Sequence, residues 1–206
     1  MNRINIFFDL DGTLVDCKYR LYNLFQELVP QSNFSFNDYC KIKSNKIDQK
    51  KLLQKYFNYS NDEVVSFKKN WLNNIEDESR LKQDKLLFSF KLSKFSNRHD
   101  LFVVTNRQYK DRAIKQLENL GIAKYFKKIL VTEQKMSKLD LIKANVIYSS
   151  RDIIVGDTGE DLITGKELNI KTVAVLTGIL KKEILMEYNP DLLVKDIKEF
   201  YASTGL

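Results

Sequence analysis

Short apolar runs that alternate with longer amphipathic segments are the feature that most constrains how this chain can fold. After residue 100 the amphipathic segments, at 109–120, 137–146, 159–169 and 195–203, have the spacing of helices. This alternation is typical of a parallel sheet covered by helices, so the sequence predicts an α/β fold. The predicted strands are 4–9, 100–105, 128–132, 152–156 and 171–175, with a weaker sixth near 191–194.

The stretch from residue 16 to about 95 breaks this alternation. It contains no convincing strand, and its apolar residues follow helical spacing. We interpret it as an insertion between the first two strands of a Rossmann-like parallel sheet flanked by helices. The predicted domains are an α/β core, 1–15 and 86–206, and an inserted α-helical domain, 16–85. The helical patterns lie at 17–29, 36–43, 48–57, 61–75 and 77–95.

The composition indicates a cytoplasmic protein. The 206 residues carry a net charge of +7, but the basic residues are scattered, which argues against nucleic-acid binding. Two cysteines without CxxC spacing favour a reducing compartment. No apolar run has the length of a signal peptide core or a membrane span. The single histidine, His99, excludes a multi-histidine metal site and is expected to lie in an exposed loop.

The first strand ends in two aspartates, Asp9 and Asp11. Residues two apart in an extended strand point the same way, about 7 Å apart, and the carboxyl ends of parallel strands are where open α/β sheets bind ligands. This spacing suits phosphoryl transfer, in which one carboxylate attacks phosphorus and the other handles the leaving oxygen. Their mutual repulsion favours a bound Mg²⁺. A calcium loop is excluded, because Leu14 and Arg20 occupy its glycine and glutamate positions.

Polar residues follow two further strands and open one helix. Thr105 and Asn106 end the second strand in VVTNR, and Asp157 and Asp161 follow the fourth in GDTGEDL. Lys138 begins a predicted helix between them. We expect Thr105 and Asn106 to donate to phosphate oxygens, the aspartates to supply metal ligands, and the lysine to neutralise charge on phosphate and nucleophile.

These motifs resemble those of the haloacid dehalogenase (HAD) superfamily of phosphatases, and 156–178 is similar to the phosphoglycolate phosphatase-like branch. The resemblance implies that Asp9 is a nucleophile forming an aspartyl-phosphate and that Asp11 is the acid and base. It further implies that Thr105, Asn106 and Lys138 bind the phosphoryl group, and that the insertion is a cap domain closing over the site. The implied Mg²⁺ ligands are Asp9, the main-chain carbonyl of Asp11, and Asp157, with Asp161 nearby.

The sequence lacks the family's lysine–proline signature, so Lys135 and Lys138 compete for one role. We prefer Lys138, because Ser137 is a plausible N-cap that places it in the first helical turn. Arg107 could contact a substrate anion but is expected at the surface. The same holds for four cations of the insertion: Lys18, Arg20, Lys43 and Lys46.

The leading hypothesis is a Mg²⁺-dependent phosphatase for a small phosphorylated metabolite such as phosphoglycolate, a sugar phosphate or a nucleotide. The main alternative is a phosphomutase of the β-phosphoglucomutase type, which shares every core motif. A signalling receiver domain would carry its phosphorylated aspartate on the third strand, which here ends in ValThrGluGln. A catalytically silent binding protein would lack Asp9, Asp11 or Asp157, and all three are present.

Overall fold

The computed structural model describes residues 3–88 and 92–205 of the chain. Six strands form one parallel sheet in the order β5-β4-β1-β6-β7-β8, and two short strands form an antiparallel ribbon, β2-β3. The predicted α/β fold is therefore confirmed, including its weak sixth strand. The strands are β1 Asn5–Phe8, β2 Val15–Asp16, β3 Lys85–Leu86, β4 Asp100–Thr105, β5 Lys128–Val131, β6 Ile153–Gly156, β7 Lys171–Val175 and β8 Leu192–Val194.

Eleven α-helices lie in the described part of the chain. The four predicted after residue 100 begin and end within two residues of the predicted positions, whereas the short helix Lys182–Met186 is not among the predicted ones. Among residues 3–88 and 92–205, no helix is both long and apolar enough to cross a membrane. The helices are α1 Lys18–Leu28, α2 Phe36–Lys43, α3 Gln49–Phe57, α4 Asn61–Asn74, α5 Glu78–Leu81, α6 Ser93–Ser96, α7 Lys110–Asn119, α8 Lys138–Asn145, α9 Gly159–Glu167, α10 Lys182–Met186 and α11 Ile197–Thr204.

Strand β1 is buried on both of its faces. Ile6 and Phe8 pack in one hydrophobic cluster, whereas Phe7, between them, packs in a second cluster on the opposite face with Phe102 and Ile142. Because side chains alternate along a strand, a run that is apolar at every position belongs in the middle of a sheet covered on both sides. The unbroken apolar run before Asp9 therefore places that carboxylate at the end of a central strand.

The strand order reverses beside β1. The chain runs from β1 to β4 and β5 on one side, and then returns to β6, β7 and β8 on the other. Such a reversal opens a crevice at the carboxyl ends of the strands, where ligands bind in open α/β sheets. The main-chain N–H of Asp9 donates to Val155 O (2.9 Å), which fixes the carboxyl end of β1 against β6 at this crevice.

Helices α1–α4 of the insertion surround a hydrophobic cluster of their own. Its most buried members include Phe25, Tyr39 and Leu53. Two of the helices begin with reciprocal capping boxes, Ser35 with Asp38 at α2 and Ser60 with Glu63 at α4. Caps of this kind satisfy N–H groups that the first helical turn leaves unpaired, which explains why the predicted starts of these helices are accurate.

The predicted helix at 77–95 is wrong. Only α5 and α6 are helical there, β3 lies between them, and 89–91 fall outside the described residues. Leu86 pairs with Val15, and Leu87 N–H donates to Leu14 O (3.0 Å), so the chain joins the antiparallel ribbon. The physical reason is a long-range strand pairing, which outweighs the local helical spacing.

The expectation that His99 lies exposed is also wrong. His99 is only 6% exposed. It lies between α6 and β4, where its main-chain N–H donates to Phe95 O (2.8 Å). Burial lowers the pKa of the imidazole. The exposed position was expected because the neighbouring residues in the sequence are polar, but in the fold the His99 side chain is buried.

Candidate active site

The carboxylate of Asp9 is buried at the end of β1 and paired with Lys138. Lys138 Nζ lies 2.5 Å from Asp9 Oδ1 and 2.6 Å from Asp161 Oδ1. The lysine is in the first turn of α8, and the predicted N-cap is confirmed, because Ser137 Oγ accepts from Asp140 N–H (3.1 Å). Burial works to lower the pKa of Lys138, but the carboxylates of Asp161 and Asp9 outweigh it and raise that pKa.

Lys135, the competing lysine, is on the surface. Its side chain is 75% exposed and its ammonium lies 3.7 Å from Glu133, whereas the side chain of Lys138 is 3% exposed. Of the two candidates, only Lys138 touches the carboxylate of Asp9.

Asp157 and Asp161 complete a buried carboxylate cluster with Asp9. Asp157 follows β6, and Thr13 Oγ1 donates to its Oδ1 (3.1 Å). Asp161 is in the first turn of α9, where its Oδ2 accepts from Thr158 Oγ1 (2.7 Å). A Cβ on Gly178 would lie 1.9 Å from Asp157 Oδ2, so the loop after β7 can approach the carboxylate only with glycine there.

This cluster fits a divalent cation. One oxygen from each of Asp9, Asp157 and Asp161 lies within 4.8 Å of the others. The three carboxylates and the Lys138 ammonium together carry two negative charges, which one Mg²⁺ would neutralise. Mg²⁺ also prefers oxygen ligands. Burial raises the pKa of Asp9 to about 7 despite Lys138, and burial together with Asp9 and Asp161 raises the pKa of Asp157. The positive charge of Lys138 is therefore not enough to keep all three buried carboxylates ionised.

We expect the metal-free protein to lose stability as the pH rises, and Mg²⁺ to restore it. The pKa of Asp9 rises from 3.8 to about 7 on folding, so the folded state holds more protons across that window and its free energy of unfolding falls with pH. A cation at 100 times its dissociation constant contributes about 2.7 kcal/mol, or roughly 5–10 °C for a chain of this size. Thermal unfolding at pH 5 and pH 8, with and without MgCl₂, measures both effects.

The control for this experiment is Asp157→Asn, measured against NaCl of equal ionic strength. The variant should be more stable than the wild type in metal-free buffer at pH 8 and should lose most of the shift caused by Mg²⁺. A Mg²⁺ shift of the same size in Asp157→Asn, or at pH 5, would contradict the assignment of this cluster as the cation site.

Asp11 is not part of the carboxylate cluster and is held by two arginines. Arg107 Nε and Nη2 donate to its two oxygens at 2.7 Å each, and Arg20 also pairs with it. Burial works to raise the pKa of Asp11, but these guanidiniums hold it well below its usual range. Both arginines were expected at the surface, and both expectations are wrong, since each side chain is 3% exposed.

The reason these arginines are buried is a second carboxylate behind them. Asp84, whose side chain is fully buried, accepts from Arg20 Nε at 3.0 Å through both oxygens and lies 3.6 Å from Arg107 Nη2. Arg20 also donates to Ile75 O (3.0 Å). Guanidinium groups tolerate burial when their donors are matched by carboxylates in this way.

Thr105 ends β4 and Asn106 follows it. Together with Asp9, Asp11 and Lys138 they line a cleft of about 300 Å³. Thr105 is buried, whereas the amide of Asn106 donates to Glu160 Oε2 (2.6 Å). The structure thus brings all seven predicted site residues to one sheet edge, with Asp11 and Asn106 engaged by other side chains.

Sequence reasoning missed the arginines and Asp84 as parts of the site. A signal for Arg20 does exist, because at helical spacing it shares a stripe with Leu24 of α1 and with Cys17, the residue just before that helix, and both are buried. A charged residue in an apolar stripe needs a buried partner. No comparable local signal marks Asp84, whose partner is 64 residues away.

The chain belongs to the haloacid dehalogenase-like hydrolase family, whose model matches residues 6–175. It is 24% identical to the pyrophosphatase PpaX of Oceanobacillus iheyensis over 97% of this chain and 96% of that protein.

Two solved structures share the fold over almost the whole length. A haloacid dehalogenase-like hydrolase from Streptococcus pneumoniae has a TM-score of 0.78 at 23% identity, with 98% of each chain covered. A predicted phosphoglycolate phosphatase from Haemophilus somnus has a TM-score of 0.71 at 20% identity, again with 98% of each chain covered. These likenesses establish the architecture, and the activity has to be argued from the residues of the site.

Proposed function

We propose that the protein is a Mg²⁺-dependent phosphatase that hydrolyses a small phosphomonoester through an aspartyl-phosphate on Asp9. The observation that carries the proposal is the pairing of Asp9 with Lys138 inside a carboxylate cluster fit for a divalent cation. A carboxylate whose position is fixed by a strand end and an ammonium is a positioned nucleophile.

In this mechanism Asp9 attacks phosphorus and forms a mixed anhydride, while Lys138 neutralises charge on the transferred group. The hydroxyl of Thr105 and the amide of Asn106 donate to phosphoryl oxygens, which requires Asn106 to release Glu160. Asp9, Asp157 and the main-chain carbonyl of Asp11 would hold Mg²⁺, with Asp161 nearby. When bound, the cation offsets negative charge on the phosphoryl group and its nucleophile.

Asp11 serves as the general acid that protonates the leaving oxygen and then as the base that activates water. Its carboxylate is 29% exposed to the cleft but is engaged by Arg107 and Arg20. A carboxylate with so low a pKa is a poor acid, so the catalytic cycle requires Asp11 to turn away from at least one guanidinium before it protonates the ester.

We also propose that residues 16–85 act as a cap over this site. The ribbon β2-β3 lies at the two crossings between core and insertion. The insertion contacts the core where Lys18 Nζ donates to Thr177 O (2.8 Å) and where Lys181 Nζ donates to Asn45 Oδ1 (2.6 Å). Opening would admit substrate, and closure would exclude water until the anhydride has formed.

The test is a screen of purified protein with Mg²⁺ against phosphorylated metabolites, including phosphoglycolate, sugar phosphates and nucleotides. Pyrophosphate belongs in the panel because the curated relative is named as a pyrophosphatase. We expect release of inorganic phosphate that stops when the metal is chelated. Return of the phosphoryl group to a sugar, with no free phosphate, would instead establish a phosphomutase, and metal-independent release would overturn the proposal.

A further inference from the structure

Two buried guanidiniums line the cleft beside the carboxylate cluster. Arg20 comes from α1 of the insertion and Arg107 lies two residues beyond β4, so they reach the cleft from the two parts of the chain that the cap proposal separates. Each side chain is 3% exposed. Neither arginine is therefore a solvent-exposed surface residue, and the position of both needs another explanation.

The charge balance of this pair depends on where the Asp11 carboxylate lies. The two guanidiniums face two carboxylates, Asp84 behind them and Asp11 in front. Asp84 is fixed, since Gln116 Nε2 also donates to it (2.9 Å). Asp11 is the partner on the cleft side, and the proposed mechanism draws it away.

Arg107 also carries a donor with nothing to bind. Within residues 3–88 and 92–205, its Nη1 is buried and has no hydrogen-bond partner. A buried charged donor left unpaired is strongly unfavourable, and native structures rarely retain one unless a water, an ion or a ligand supplies the acceptor. Because Arg107 lines the cleft, a ligand in the cleft can supply that acceptor.

We infer that Arg20 and Arg107 form a subsite for a second anionic group on the substrate. This inference rests on the proposed function and narrows its substrate class to small phosphate compounds that carry a carboxylate or another phosphate near the transferred phosphoryl group. Such a group replaces Asp11 on the guanidiniums as Asp11 turns to the leaving oxygen. Guanidiniums bind carboxylate and phosphate through paired hydrogen bonds, so either group satisfies the site.

The shape of the cleft limits the distance between the two anionic groups. Its volume of about 300 Å³ is at the low end for small-molecule sites. Trp71, Leu72 and Ile75 add apolar surface to its lining. Asp9, which attacks phosphorus, and Asp11, whose place on the guanidiniums the second anion takes, are two residues apart. In an extended chain this spacing is only ~7 Å, so the second anion lies a few bonds from the phosphorus.

Apart from Asp11, the acidic residues near the arginines in the cleft, Glu76 and Glu160, do not compete for this subsite. Glu76 lines it, but its carboxylate accepts from the main-chain N–H groups of Gln108 (2.8 Å) and Tyr109 (3.3 Å). Glu160 accepts from the amide of Asn106. Both are thus engaged by donors other than the two arginines.

The inference is tested first on the unaltered protein with matched esters. Phosphoglycolate and 2-hydroxyethyl phosphate differ in a carboxylate against a hydroxymethyl group, and 1,3-propanediol bisphosphate and 3-hydroxypropyl phosphate form a second pair, which differs in a second phosphate against a hydroxyl group. Charge-assisted hydrogen bonds predict a kcat/KM about 10- to 100-fold higher for at least one doubly anionic member of a pair. Which pair shows the preference tells whether the second anion is a carboxylate or a phosphate.

The variants Arg107→Gln and Arg98→Gln then assign the preference to a residue. Arg98 is exposed two residues before β4, so its variant makes the same chemical change at the opposite end of that strand. We expect the ratio of kcat/KM values to fall to about one in Arg107→Gln, to be partly rescued in Arg107→Lys, and to stay unchanged in Arg98→Gln.

The outcomes separate the two proposals. Equal kcat/KM within both pairs in the unaltered protein, or a ratio that survives Arg107→Gln, would overturn the subsite while leaving the phosphatase proposal intact. Hydrolysis of none of the four compounds, when another phosphomonoester of the metabolite panel is hydrolysed, would overturn the subsite alone, and hydrolysis of no compound in either set would overturn the phosphatase proposal itself. The comparison of the paired esters on the unaltered protein tests the preference for a second anion without any variant. The subsite therefore remains testable even if thermal unfolding shows that Arg107→Gln is misfolded.

Discussion

We expect Asp9→Asn to lower Mg²⁺-dependent hydrolysis of an aryl phosphate by ~10⁴-fold or more, the scale on which loss of a nucleophile acts. An amide oxygen at this position cannot form the anhydride, and it weakens the pairing with the Lys138 ammonium. The measurement is the steady-state release of the aryl alcohol at saturating Mg²⁺, with the variant and the unaltered protein purified in parallel.

The fold should survive this substitution. Burial raises the pKa of Asp9, and the charge of Asp161 raises it further, so removing the carboxylate also relieves repulsion in the cluster. Asp100→Asn is the matched control, because Asp100 begins β4 at the opposite end of the sheet and makes only exposed ion pairs. Unchanged turnover in a folded Asp9→Asn would refute the assignment of the nucleophile.

Lys138→Ala should lower kcat by about 10²–10³-fold, the usual effect of removing one charged or hydrogen-bonding group that stabilises a transition state. It also leaves Asp9 and Asp161 without their shared cation, so we expect a stability loss of ~3–5 kcal/mol. Activity should therefore be measured well below the melting temperature of the variant.

The control for Lys138 is its competitor. Lys135 is 75% exposed and pairs at 3.7 Å with Glu133, so Lys135→Ala should change the stability by no more than ~0.5 kcal/mol and leave kcat within about twofold of the unaltered value. The opposite ranking of the two variants would assign the phosphate-site role to Lys135.

The sheet could be predicted because its signal is local and repeated. A run such as Ile6-Phe7-Phe8, apolar at each position, fits only a strand covered on both faces. The 77–95 error has the opposite origin, since Leu86 is a strand residue only because Val15 lies beside it. The two residues are 71 positions apart in the chain, and the local sequence around neither of them indicates the pairing.

The carboxylate cluster could be predicted from strand ends for the same reason. Asp9 and Asp157 each follow a recognisable strand and Thr105 ends one, and parallel strands bring their carboxyl ends to one edge. The orientation of Asp11 could not be predicted. It depends on two arginines that meet only in the folded chain and on Asp84, whose burial follows from the ribbon that sequence reasoning missed.

The central claim is that an oxygen of Asp9 becomes covalently bound to phosphorus during turnover. The most direct measurement is an acid quench in the steady state, followed by peptide mass spectrometry. We predict that the peptide containing Asp9 gains the mass of one phosphoryl group, that hydroxylamine removes it, and that the adduct is absent from Asp9→Asn. Rapid turnover with no adduct on any peptide, or an adduct on another residue, would contradict the account.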